Sequence, residues 1–102
     1  MDVQVLLAPF LDEKGRLLAF PAKRKKKNFA LQYLAQKFEP QRLYTEQEVN
    51  DLLDAWHCFH DPAMLRRELF NCGFLGRRLD GKAYWLSEQQ PNLSDLPGTN
   101  EL

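Results

Sequence analysis

Residues 44–86 read YTEQEVNDLLDAWHCFHDPAMLRRELFNCGFLGRRLDGKAYWL, and this stretch decides the fold. Thr45 with Glu48 three residues on forms a capping box, which starts a helix by satisfying its free N–H groups. Asp61 ahead of Pro62 is a second start signal, an N-cap residue followed by a proline at the first helical position. Gly73 ends that helix, because glycine accepts the left-handed conformation just past a helix without penalty. Asp80-Gly81 then lies between two short runs of apolar and basic residues, a strong local hairpin signal. Helix, turn, helix, hairpin is the layout of a winged helix-turn-helix.

Working outward, Leu31, Leu34, Ala35 and Phe38 follow the spacing of one buried helical face, predicting a helix over 23–38. Helices over 46–56 and 62–72 bury Val49, Leu52, Leu53 and Trp56, and Leu65, Leu69 and Cys72. The expected class is therefore α+β, mainly α: three helices and a C-terminal β-hairpin, with an extra N-terminal segment. Residues 1–22 are expected to pack on the core, 23–86 to form the winged-helix-like domain, and 87–102 to be a mobile tail. Phe29 and Tyr33 point almost opposite to Leu31 and Leu34. Either the N-terminal segment covers them or they form a protein interface with a second copy of the chain.

The chain of 102 residues suits one domain with a modest core. No apolar stretch approaches the ~20 residues that span a bilayer, which argues against a membrane partner. The N-terminus lacks the features of a signal peptide, so a reduced, cytoplasmic protein is the simplest reading. Formal net charge is zero, but the charges are segregated. Residues 14–42 hold nine Lys or Arg and one acid, Glu39; residues 43–61 hold five acids and no Lys or Arg. Basic residues return in Arg66, Arg67, Arg77, Arg78 and Lys82.

These cations are the candidate nucleic-acid contacts. Arg66 and Arg67 lie on the helix that would enter the major groove, where guanidinium forks suit guanine edges and phosphates. The bland alternative pairs them with Glu68 and Asp61. Arg77, Arg78 and Lys82 flank the hairpin turn, placed either for phosphate or as a charged, soluble strand edge. The run Lys23, Arg24, Lys25, Lys26, Lys27 opens a helix against the macrodipole, so it seeks an anion: phosphate, or the acidic 46–56 helix. Phe70, on the outer face of the 62–72 helix, suits a thymine methyl or a protein interface.

No chemistry-bearing constellation supports an enzyme. His57, Cys58, His60 and Asp61, with Cys72 later, match no metal-ligand spacing. Cys58 beside His57 lacks an orienting third group. No cofactor is implied.

The sequence resembles a bacterial family, domain of unknown function 2087. The matching stretches are FPAKRKKK (20–27), KFE (37–39), YTEQEVN (44–50), WHCFHDP (56–62), LRRELF (65–70), GFLGR (73–77) and DGKAYW (80–85). They cover residues 10–86 in order. The resemblance implies a winged-helix-like, transcriptional-regulator-associated protein and carries over no catalytic residues. Two functions are thus expected to compete. One is a small DNA-binding transcriptional regulator with double-stranded DNA as partner. The other is a non-enzymatic interaction or assembly module whose partner is a second copy or another regulator protein.

Overall fold

The computed structural model describes residues 3–99. Four helices, α1 (Val3–Leu7), α2 (Arg24–Ala35), α3 (Glu46–Trp56) and α4 (Pro62–Asn71), precede a hairpin of β1 (Leu75–Arg77) and β2 (Tyr84–Leu86). The class is α+β and mainly helical, as the sequence indicates.

The helix boundaries follow their caps. The Thr45 hydroxyl accepts from the Glu48 N–H (3.1 Å) and the Glu48 carboxylate accepts from the Thr45 N–H (2.9 Å), so the capping box that opens α3 is closed on both sides. Asp61 accepts from the Met64 N–H at the start of α4, and Pro62 takes its first position. Gly73, at φ 89°, turns the chain off α4 into the hairpin.

α2 is the central element. Leu31, Leu34, Ala30 and Ala35 are buried, and so are Phe29 (8% exposed) and Tyr33 (2%). The protein-interface expectation for Phe29 and Tyr33 is therefore corrected: their face is covered from within. α1 packs on α2, Leu7 joins the core, and the Tyr33 hydroxyl donates to the Gly15 carbonyl at 2.8 Å. Lys26 adds a bond from Nζ to the Leu6 carbonyl.

The hairpin pairs Leu75 with Leu86, Gly76 with Trp85 and Arg77 with Tyr84. Tyr44, just ahead of α3, bonds β2 on its other edge through reciprocal 2.8 Å bonds with Tyr84, giving the order Tyr44–β2–β1. The Asp-Gly pair marks the hairpin, but the corners of its turn are Leu79 and Asp80. The Gly81 N–H closes the turn on the Arg78 carbonyl, and the Asp80 side chain accepts from the Lys82 N–H. Gly81 supplies the positive φ that follows. Leu79 is thereby thrust fully into solvent.

Residues 87–99, expected to be mobile, instead lie along the core. Gln90 donates to the Phe74 carbonyl, while Leu93 and Leu96 pack against the core around a 3-10 turn (Leu93–Asp95). The Asn28 amide, on α2, donates to the Pro97 carbonyl at 3.1 Å and to the Thr99 hydroxyl. Two leucines three residues apart anchor a segment whose polar composition conceals them. Residues 1, 2 and 100–102, part of the expected N-terminal segment and tail, lie outside the described residues.

Candidate nucleic-acid interface

α3 and α4 meet through a turn held by His57. Its Nδ1 lies 2.6 Å from the Leu53 carbonyl and its Nε2 accepts from the Asp61 N–H at 2.9 Å. Those partners fix the tautomer with the proton on Nδ1. The Phe59 ring meets the imidazole edge-on at 4.6 Å. His57 is thus a buried staple of the inter-helix turn. Among the described residues, no group of three or more His, Cys, Asp or Glu is placed to hold a metal ion.

Arg66 and Arg67 part company. Arg66 has a side chain only 17% exposed, bonded through Nη1 to Asn50 and paired through Nη2 with Glu46 at 3.3 Å. Its guanidinium also lies 6.0 Å from the Tyr84 ring centre. Arg66 is therefore corrected from a nucleic-acid contact to an internal tie between α3, α4 and β2. The expected partners Glu68 and Asp61 are not the ones it uses. Arg67, one residue on, is exposed and has no side-chain partner among the described residues.

The basic run also divides. Lys23 and Lys25 are exposed and unpaired among the described residues. Arg24 reaches Glu68 of α4 at 3.4 Å, Lys26 is spent on Leu6, and Lys27 Nζ lies 5.6 Å from the Phe20 ring centre. The acidic α3 is not the anion this run meets. Its Glu48 pairs with Arg42 and its Glu46 with Arg66.

On the hairpin, Arg77 stacks over Phe70 at 4.2 Å, which also shields that ring. Arg78 pairs loosely with Asp80 (3.2 Å) while staying 64% exposed. Lys82 is exposed, with no side-chain partner among the described residues. The Arg24–Glu68 bridge sets the start of α2 against α4, and the Phe70–Arg77 stack sets β1 against it. The surface of α4 that carries the exposed Arg67 is therefore flanked by Arg24 at the start of α2 and by Arg77 of β1. Asn71, exposed one helical turn beyond Arg67, belongs to it. Sequence reasoning missed Asn71, although its i, i+4 spacing from Arg67 marks the same face.

Two carboxylates elsewhere are shifted. Bonds from the Arg16 and Lys14 N–H groups and the Arg16 guanidinium hold Asp12 below the usual carboxylate range. Glu48 is lowered by the Thr45 N–H and by Arg42. Burial pushes the Cys72 thiol up.

Fold and surface together define a small, mainly helical α+β domain with a cationic edge. Residues 16–86 match the family described as "Uncharacterized protein conserved in bacteria (DUF2087)", and the chain belongs to that family. No curated protein and no solved structure matches it. Among the described residues, no helix is long and apolar enough to cross a membrane.

Proposed function

We propose that this chain is a small winged-helix DNA-binding protein that acts, in the cytoplasm, as a transcriptional regulator. The observation that carries the reading is that Arg24 at the start of α2 and Arg77 of β1 both reach α4, on which Arg67 is exposed and without a side-chain partner among the described residues. The order helix, bridge, helix, turn, helix, hairpin supports it, as does a sheet ordered Tyr44–β2–β1. In this reading α4 enters the major groove, with Arg67 and Asn71 as the two side chains suited to guanine and adenine edges. Arg77, Arg78 and Lys82 hold phosphate on one flank, Lys23 and Lys25 on the other.

The test is binding to duplex DNA at low and physiological salt. Affinity should fall linearly in log–log with salt, and each phosphate-contacting lysine removed should lower the slope by about one. Arg67→Ala should cost about 1–3 kcal/mol on a preferred sequence and less on random DNA. Absence of binding at low salt would overturn the assignment.

The competing reading, an assembly module of the same shape, loses Phe29 and Tyr33 to the core. It retains several exposed apolar side chains, of which Leu79, fully exposed at the hairpin tip, is the most extreme among the described residues. Sedimentation at two concentrations, repeated with Leu79→Ser, separates the two.

A further inference from the structure

Lys37, just past the end of α2, lies between two aromatic rings. Its Nζ is 4.4 Å from the Tyr33 ring centre and 4.0 Å from that of Trp56, the last residue of α3. Such a pair of rings stabilises an ammonium through their negative faces and removes part of its water. It supplies no hydrogen-bond acceptor, and among the described residues Lys37 has no acid or carbonyl partner. A charged group with three donors is thus held in place with its hydrogen bonds unspent.

The ammonium lines an open groove of about 500 Å³, walled by Trp56, Tyr33, Ala8 and Leu11 and by the turn that carries Lys14. The neighbouring carboxylate of Asp12 is already used. One oxygen accepts from the Lys14 and Arg16 N–H groups, and the other accepts from the Arg16 guanidinium at 2.7 Å. Glu13 lines the rim and is exposed. The groove therefore offers a ring-held ammonium, a flat indole and aliphatic walls, with the exposed Lys14 as a second cation in its lining.

We propose that this groove binds a small amphipathic carboxylate, with the carboxyl group on Lys37 Nζ and the apolar body on the Trp56 indole. The pairing follows from what the walls lack and what they provide. The unpartnered ammonium asks for an oxyanion, and the charge-assisted bond to a carboxylate is the strong form of that contact. Ala8, Leu11 and Trp56 reward an apolar body, which inorganic phosphate does not have. The site lies outside the cationic edge described above and does not depend on DNA binding.

The experiment is a titration of the full chain followed by ¹H–¹⁵N NMR, with benzoate, benzamide and inorganic phosphate as probes. Benzoate should give saturable shifts confined to residues 12–15, Tyr33, Lys37 and the Trp56 indole N–H. Benzamide, which has the ring without the charge, and phosphate, which has the charge without the ring, should each bind at least tenfold more weakly. Lys37→Met should weaken benzoate by about tenfold to a hundredfold, the worth of one charge-assisted hydrogen bond. Lys37→Arg should retain most of the affinity. Glu13→Gln, a rim change that leaves the core untouched, should tighten binding by removing a like charge. No saturable benzoate shift in the millimolar range overturns the proposal. Equal binding of benzamide or phosphate overturns it too, as does a Glu13→Gln variant that binds more weakly.

Discussion

Replacing Arg66 separates structure from recognition on α4. Arg66→Ala removes a charged donor from Asn50, an ion pair with Glu46 and a ring contact with Tyr84. A hydrogen bond from a charged, half-buried donor contributes about 1.5–3 kcal/mol. The ion pair adds little, because the Glu46 side chain is 56% exposed, so after screening it counts for about 0.5 kcal/mol or less. The Tyr84 contact, at the limit of cation–π range, contributes about 0.5 kcal/mol. Against these stands the rotamer freedom that a held arginine loses, about 2 kcal/mol at most. Lost packing of its methylene stem partly offsets that entropy gain.

The net expectation is a loss of about 2 kcal/mol, or a melting temperature roughly 8–15 °C lower for a domain of this size. Arg67→Ala, on an exposed side chain without partners, should stay within about 0.5 kcal/mol of the parent. Thermal melts followed by circular dichroism decide the matter, with Arg66→Met recovering the part that the stem supplies. High salt should change the Arg66 effect little, because the bond to Asn50 is not a pair of opposite charges. If Arg66→Ala melts with the parent while Arg67→Ala is destabilised, the assignment of the two arginines is reversed and the reasoning fails.

Acid should destabilise the protein through Asp12 and Glu48. Both carboxylates titrate lower in the folded chain than in the unfolded one, so their stabilisation is complete above about pH 5 and is lost as pH falls through 4 and below. Glu48→Gln keeps the capping-box geometry and should flatten that acid limb in pH-dependent urea melts; an unchanged limb would exonerate Glu48. Gly76→Ala should cost about 1–3 kcal/mol, because a Cβ there runs into the Trp85 indole on the paired strand. A variant with parental near-ultraviolet dichroism and melting would show that the indole does not lie over the glycine.

What could be read ahead of the structure was local. Thr45 with Glu48, Asp61 with Pro62, and Gly73 each carry their reason within one helical turn, and α3 and α4 begin where those signals stand. The second apolar face of α2 was also visible, but the sequence left open whether chain or partner covered it. Only the placement of α1 and Gly15 answers that. The Arg66 tie was not legible, because Asn50 lies 16 residues earlier on another helix. For the same reason the Lys37 site escaped notice: Tyr33 is one turn away, but Trp56 arrives only through packing. Residues 87–99 misled through composition, since two leucines suffice to anchor a segment that is otherwise polar.

The zero net charge looks like an argument against a polyanionic partner until the pairs are placed. Five arginines pair with nearby acids: Arg42 with Glu39 and Glu48, Arg66 with Glu46, Arg16 with Asp12, Arg24 with Glu68 and Arg78 with Asp80. The first three consume cations on the α3 side and in the N-terminal turn; the last two lie at the start of α2 and in the hairpin turn. Lys23, Lys25, Arg67 and Lys82 have no such counterpart among the described residues, as Lys14 and Lys37 have none elsewhere; Arg67 lies on α4, Lys25 on α2 with Lys23 at its N-cap, and Lys82 in the hairpin turn. A chain that balances overall can thus present one edge whose field is positive, because Coulomb interactions beyond a Debye length of about 8 Å are largely screened at physiological salt. The sum of charges bears on solubility; the unpaired four bear on what that edge attracts.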